Sequence, residues 1–348
     1  MKAILIGNRE RFEKFYPHTA FADIVEKVYL SMEEAMQGIP AEARDAQFLA
    51  ADAIARVPAD LMAQLPDLKI IHSEGVAYNG IDCAAAAERG IYVCNNRGVN
   101  ADAVAEQTIL LMLGLLRSVT AGDAAVRAGQ QIQRKEYMMV NGITELGECR
   151  VGLIGFGDIA KAVAKRLISF GCDVFYNATH RKDAVLEAKY GVKWMEREEM
   201  LKSCDIISIH VPVTPNTAGM VNEAFLKTMR PNALLINTAR GEIVDNAALK
   251  KALMEGWIAG AGLDTVAPEP VAAAHPLLHL LPDMVDNDNS RKATRAATHM
   301  DDANKKILFS PHIGGVTTGV FRKGHRNIWR AFEQVSKGER PVNIVNGL

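Results

Sequence analysis

One stretch restricts the fold more than any other: Arg150-Val151-Gly152-Leu153-Ile154-Gly155-Phe156-Gly157-Asp158-Ile159-Ala160. It begins as a short apolar strand. Gly155 and Gly157 interrupt it, and an Ala-, Lys- and Val-rich run through Phe170 reads as a helix ending near Gly171. A further strand, Asp173-Val174-Phe175-Tyr176, follows. Strand, glycine turn, helix and strand form the βαβ context in which such glycines hold a dinucleotide. Gly155 permits the tight turn, and Gly157 lets the backbone approach a pyrophosphate. Phe156, Asp158 and Ile159 complete the turn and place the helix N-terminus against that negative charge. Ala160 is small enough for close helix–strand packing. Glycines also end strands in chains that bind nothing, so the reading depends on the remaining residues.

A chain of 348 residues is long enough for two domains, each with its own core. A net charge of -1 with 23% charged residues leaves no basic footprint for nucleic acid. The cysteines Cys83, Cys94, Cys149, Cys172 and Cys204 are scattered and odd in number, which speaks against a disulfide framework or a cysteine metal site. The chain opens on strand-like Ala3-Ile4-Leu5-Ile6, without a leader or an apolar run of membrane length. The expectation is a cytoplasmic protein with no membrane, nucleic-acid or metal partner.

Before the glycine turn, short strands at residues 3–6, 47–50, 68–71 and 91–94 alternate with helical segments, giving a small α/β domain. Two turns follow strand C-termini, where open α/β sheets place ligands. Gly75, Val76 and Ala77 can offer backbone N–H groups to a carboxylate. Arg97 is either a substrate-anion ligand or a surface charge, the latter being the commoner state of an arginine. Residues 102–117 read as a helix apolar on nearly every face, buried in its domain or in a subunit contact. The segment 127–147 is less regular; its Tyr137, Met138, Met139 and Val140 suit a core, a lid or a dimer contact.

After the glycine turn, the tip of the next strand tests the cofactor. An NAD enzyme presents Asp or Glu there to the adenosine ribose. This chain has Asn177, Ala178, Thr179, His180 and Arg181, with no carboxylate. A ribose 2′-phosphate would be drawn to Arg181, with Thr179 and His180 as donors. NADP(H) is therefore favoured over NAD(H); the alternative is an ordinary solvated turn. Strands at 205–210, 233–237 and 260–264 follow, and 214–217 reads as a turn into a short helical element. Arg240, Asp264 and Glu269 fall at or just beyond strand ends, on the cofactor edge of such a sheet. His312 lies between Pro311 and two glycines. It is either a structural histidine or, if Glu269 fixes its tautomer, a proton donor near neutral pH. Residues 283–306 are polar and mixed in charge; a solvated excursion explains them better than a metal cluster around His299.

Together these segments resemble the D-isomer-specific 2-hydroxyacid dehydrogenases over nearly the whole chain. The resemblance rests on VGLIGFGDIAKAVAKRL (151–167), HVPVTPNT (210–217), LLINTARGEIVDNAAL (234–249), AGLDTVAPEP (261–270), SPHIGG (310–315) and ADAVAEQTILLMLGLLR (101–117). It implies an α/β protein of two Rossmann-like domains, each with a mainly parallel sheet and flanking helices. Residues 1–101 and 310–348 would form the substrate domain, and 102–309 the dinucleotide domain, which in the family usually makes a homodimer contact. It also implies that Arg240 orients a 2-oxo acid, that His312 is the acid–base group and that Glu269 pairs with it. Asp264 would lie near the nicotinamide. The loop Gly75-Val76-Ala77 would hold the substrate carboxylate. The motifs add Val104, His210, Val211, Pro212, Thr217, Thr238, Ala239, Gly314 and Gly315 to the cofactor site. Ala77 stands where the family commonly has Gly, and Arg97 where it has Pro.

The expected reaction is hydride transfer between a nicotinamide cofactor and a 2-oxo or D-2-hydroxy acid. A phosphorylated hydroxy acid or phosphite as substrate, and a non-enzymatic dinucleotide sensor, are the alternatives.

Overall fold

A computed structural model of the chain describes residues 1–280 and 307–348. The polar stretch 283–306 lies outside the described residues. The chain divides into two compact units, Met1–Asn100 with Val316–Leu348, and Ala101–Gly315. His312 therefore belongs to the same unit as Arg240 and Glu269.

The first unit is a five-stranded sheet of β1 (Lys2–Ile6), β2 (Glu26–Leu30), β3 (Phe48–Ala51), β4 (Ile70–Ser73) and β5 (Tyr92–Cys94). Its order is β2-β1-β3-β4-β5, with every pair parallel. Such strands are covered by helices on both faces, so β3 and β4 are buried at every position. The returning helix Thr318–Ser336 covers one face. Its Trp329 and Phe332 pack with Phe12, Phe21 and Phe48, and the Phe48 and Phe332 rings stack at 5.1 Å. The tail then pairs through Ile344 with Cys94.

The second unit holds β6 (Arg150–Ile154), β7 (Asp173–Asn177), β8 (Val192–Trp194), β9 (Ile206–Ile209), β10 (Leu234–Asn237), β11 (Gly260–Leu263) and β12 (Ile307–Phe309). Their order is β12-β11-β10-β9-β6-β7-β8, again all parallel. The chain winds outward from β6 in both directions, so the crevice between β6 and β9 is the switch point where such sheets bind ligands. The turns after these two strands contain Gly155 and His210. The apolar core lies on both sides of the sheet.

Several local expectations change. The strand β2 and the edge strand β8 were not anticipated. The region 127–147 is regular: helices Val119–Arg127 and Gln131–Asn141 occupy it, neither with a buried residue. The turn at 214–217 does not enter a helix; the next one is Glu223–Thr228. The helix Ala101–Leu116 buries Val104, Ile109, Leu111 and Met112 but leaves Leu110 exposed. Among the described residues no single helix is long and apolar enough to cross a membrane; Ala101–Leu116 and Val119–Arg127 pass only as a pair bent by 57°.

Candidate active site

The glycine turn follows β6 directly. Gly155 has φ +94°, and a Cβ there would lie 2.3 Å from the His210 carbonyl oxygen, so only glycine fits. Gly157 is different. A Cβ there would meet nothing within 4 Å, so the protein leaves room beside it. Gly157 is the N-cap of the helix Asp158–Phe170 and supplies no side-chain cap. Uncapped first-turn N–H groups beside open space suit a pyrophosphate. Phe156 is buried with its ring 4.5 Å from that of Tyr176, and Ile159 packs against the same core. Ala160 is fully buried, as close helix packing requires.

The turn after β9 presents His210, Val211 and Pro212. The His210 N–H donates to Ile154 O at 2.7 Å, tying the two turns together, and burial pushes its imidazole down to about 3. The Thr217 hydroxyl donates to Pro212 O at 2.6 Å and accepts from Thr214 N–H at 2.7 Å. It thus shapes the turn. Val104 is buried in the helix Ala101–Leu116.

Beyond β7, Ala178 is half-buried, and Thr179 and His180 are exposed. Arg181 is held. Its Nε and Nη2 donate to the Glu187 carboxylate at 3.0 and 3.1 Å, and its guanidinium lies over the Trp194 ring. Glu187 also accepts from the Tyr176 hydroxyl at 2.8 Å. These three donors hold its carboxyl below the usual range, the Arg181 hydrogen bond most strongly.

Arg240 follows β10 on a turn clamped by Asn237. Asn237 Nδ2 donates to Arg240 O at 2.8 Å, and Asn237 Oδ1 accepts from Ala239 N–H at 3.0 Å. Thr238 is buried and shares a 3.0 Å hydrogen bond with Thr108. The Arg240 guanidinium is exposed, with Nη1 donating to Ala239 O. At the next residue, a Cβ on Gly241 would lie 2.2 Å from Ala267 N. The Arg240 turn therefore packs on the backbone that leads to Glu269. Asn246 secures that backbone from below by donating to Ala267 O at 2.6 Å.

Glu269 and His312 are brought together from 43 residues apart, with Nδ1 at 3.0 and 2.9 Å from the two carboxylate oxygens. A carboxylate can only accept, so Nδ1 carries a proton and Nε2 is the ring atom available for chemistry. Asp264 is buried. It accepts from Ser310 Oγ, Ile313 N–H and Gly314 N–H, and so clamps the His312 loop. A Cβ at Gly314 would stand 2.9 Å from Asp264 Oδ2, so any other residue there would push on that carboxylate. Gly315 ends the unit.

In the first unit, Gly75 lies beneath Ala53, whose Cβ would be 2.6 Å from a Cβ at 75. The loop through Val76 and Ala77 follows β4. Arg97 is exposed and donates its backbone N–H to Asn95 Oδ1 at 3.2 Å.

Asn237, Gly241, Asn246 and Ser310 were missed as supports of the site. Asn237 and Gly241 stand inside LLINTARG, where their proximity to Arg240 was visible; the packing of Gly241 on Ala267 was not. Burial pushes the Cys94 thiol up to about 12 and those of Cys149, Cys172 and Cys204 up to about 11, which leaves them inert. Among the described residues no group of His, Cys, Asp and Glu is arranged to hold a metal ion.

Residues 109–285 match the family described as D-isomer specific 2-hydroxyacid dehydrogenase, NAD binding domain. The chain is 37% identical over 294 residues to glyoxylate reductase of Thermococcus litoralis, covering 84% of this chain and 81% of that protein. The chain belongs to the D-isomer-specific 2-hydroxyacid dehydrogenase family. Among solved structures, it resembles NADPH-dependent glyoxylate/hydroxypyruvate reductase from Sinorhizobium meliloti in complex with NADP and malonate. The TM-score is 0.73 and the identity 26%, over 99% of this chain and 96% of that one. It likewise resembles D-lactate dehydrogenase with NAD+ from Lactobacillus jensenii, with a TM-score of 0.78 and 25% identity over 99% of both chains. This member of the family is an oxidoreductase that uses a nicotinamide cofactor on 2-oxo and 2-hydroxy acids.

Proposed function

We propose that the protein reduces a small 2-oxo acid to the D-2-hydroxy acid, with His312 as proton donor, Glu269 as its partner and Arg240 as substrate anchor. The observation behind this reading is the Glu269–His312 pair, with Nδ1 committed to the carboxylate and Nε2 left over. The nicotinamide supplies hydride for reduction and accepts it in the reverse direction. In reduction, the imidazolium donates its Nε2 proton to the substrate oxygen, so that no alkoxide accumulates. Glu269 stabilises the imidazolium before that step and holds the ring in one tautomer after it. Arg240 binds the carboxylate and offsets charge developing on the oxygen. Asp264 holds the His312 loop. In the first unit, which we take as the substrate domain, the N–H groups of Val76 and Ala77 receive the carboxylate.

The second unit is the dinucleotide domain in this reading, with Gly155 to Ile159 at the pyrophosphate. Val104, His210, Val211, Pro212, Thr217, Thr238, Ala239, Gly314 and Gly315 line the rest of the cofactor site. NADP(H) is the preferred cofactor, because Ala178 replaces the ribose carboxylate and Arg181 is nearby. NAD(H) is the alternative, since Glu187 already occupies two of the Arg181 donors. Glyoxylate and hydroxypyruvate, named for the relatives, are the first substrates to try. A homodimer through the exposed apolar side chains of Val119, Val126, Ile132, Met139 and Val140 fits this reading, as does a reducing cytoplasm for five free cysteines.

The test is a panel of 2-oxo acids, with phosphoglycerate and phosphite in the oxidative direction, each run with both cofactors. His312→Gln is expected to lower kcat by about 10²- to 10⁴-fold while cofactor binding is kept. A kcat/KM near wild type would remove His312 from the chemistry. Arg181→Ala is expected to weaken NADPH and spare NADH; equal loss of both would sink the phosphate contact.

A further inference from the structure

We propose that the C-terminal helix Thr318–Ser336 sets the affinity for the substrate carboxylate by holding the loop Gly75-Val76-Ala77, with Asn96 and Asn327 as positioning residues and Glu74 as the loop's anchor. This rests on the reading that the loop receives that carboxylate.

The loop is gripped by its carbonyls. Gly75 O accepts from Asn96 N–H at 2.9 Å, Val76 O from Asn95 Nδ2 at 2.7 Å, and Ala77 O from Ser73 Oγ at 2.5 Å. These peptides are trans, so the C=O and N–H of each plane point in opposite directions. The N–H groups that share these planes belong to Val76, Ala77 and Tyr78. Each is therefore turned away from the group that holds its carbonyl. None of the three has a hydrogen-bond partner among the described residues. Successive donors aimed by their own carbonyls suit an anion. Whatever fixes the carbonyls fixes the direction of those donors.

The grip is itself anchored on the helix. Asn96 Nδ2 donates to Glu74 O at 2.8 Å, which sets the start of the loop. Asn96 Oδ1 accepts from Asn327 Nδ2 at 3.0 Å, which fixes the amide's orientation. One turn earlier, a Cβ on Gly324 would lie 3.0 Å from Asn96 Nδ2, so glycine lets the helix approach closely. The Glu74 side chain is 4% exposed and accepts from His325 Nε2 at 2.8 Å, the His325 side chain being 2% exposed. Arg11 Nε donates to the same carboxylate at 2.8 Å, while its Nη2 bridges Glu74 and Asp52. A buried carboxylate is retained only where it is fully partnered. Here the partnered group is the residue immediately before the loop.

Asn327→Ala frees the Asn96 amide, and Asn96→Ala removes the side-chain grip on Glu74 O. With glyoxylate as the probe, each is expected to raise KM by about 5- to 30-fold, the effect of losing one well-placed hydrogen bond. Values of kcat and NADPH affinity should stay close to wild type, the pattern of lost uniform binding. Ile328→Val, a core substitution on the same helix, should lower Tm and leave KM unchanged. If both asparagine variants lower Tm and leave KM unchanged, their role is structural and the proposal fails. Ala77→Pro, which deletes one loop N–H, separates the two ideas. A raised KM there with normal Asn96→Ala kinetics would overturn the positioning role alone. An unchanged KM in Ala77→Pro would overturn the carboxylate reading and the proposal with it.

Discussion

His312 stands at φ +54°, in the left-handed region that a non-glycine residue adopts at a cost of roughly 1–3 kcal/mol. The backbone keeps this conformation because Asp264 takes hydrogen bonds from Ser310, Ile313 and Gly314, on both sides of the histidine. Asn at 264 has one acceptor oxygen and one donor amide, so one of those N–H or O–H groups would face another donor. Asp264→Asn is expected to lower kcat/KM by about 10- to 100-fold through misplacement of the imidazole, with affinity for the nicotinamide cofactor retained. Unchanged kinetics would show that the loop holds itself. A buried histidine, His72, reports on acid stability. His72 donates from Nδ1 to Ser73 O at 2.7 Å, and burial pushes it down to about 4. Its unfolded value is about 6.5, so the unfolded chain binds the proton first. Stability from this group is complete above about pH 6.5 and declines by up to ~3 kcal/mol as pH falls toward 4. His72→Leu should flatten that part of the Tm-against-pH curve; an unaltered slope would exclude the group.

At the scale of elements, the glycine turn separates a folding requirement from a binding one. Gly155 is enclosed by the His210 carbonyl and Val211, whereas Gly157 borders open space. Gly155→Ala should therefore lower Tm sharply, because backbone must move. Gly157→Ala should leave Tm close to wild type and weaken either nicotinamide dinucleotide at least about tenfold, since its methyl enters the space a pyrophosphate needs. Equal effects of the two substitutions on stability would contradict this division. Elements also differ in how readable they are. Buried parallel strands such as β9 and β10 are mostly apolar, each with three aliphatic residues in four, and the sequence shows them. Edge strand β2 opens on the charged pair Glu26 and Lys27, as edges tend to. Strand β8 has three residues and a central lysine. The helices at 119–141 bury none of their residues, although Val119 and Val126, and Ile132 and Met139, recur at helical spacing.

For the whole molecule, the first unit is completed by residues from the far end of the chain. Phe332 is fully buried and stacks on Phe48, so Phe332→Ala is expected to destabilise that unit by about 3–5 kcal/mol. Calorimetry of this variant should show a lowered transition for the first unit, while the nicotinamide cofactor raises only the transition of the second. A single transition moved by both changes would mean that the units unfold as one.

The sequence by itself determined the alternation of strand and helix, the glycine turn after β6, the family, and the placing of Arg240, Asp264, Glu269 and His312 beyond strand ends. These follow from local pattern, because a parallel strand buried on both faces is mostly apolar and its ligand edge follows it. Tertiary structure decided what those residues touch. Glu269 meets His312 across 43 residues, Asp264 clamps a loop, and Arg181 is paired with Glu187. It also brought Asn327 to Asn96 across 231 residues. Hydrogen bonds extend only about 3 Å and depend on direction, so such pairings arise from how the strands and helices pack.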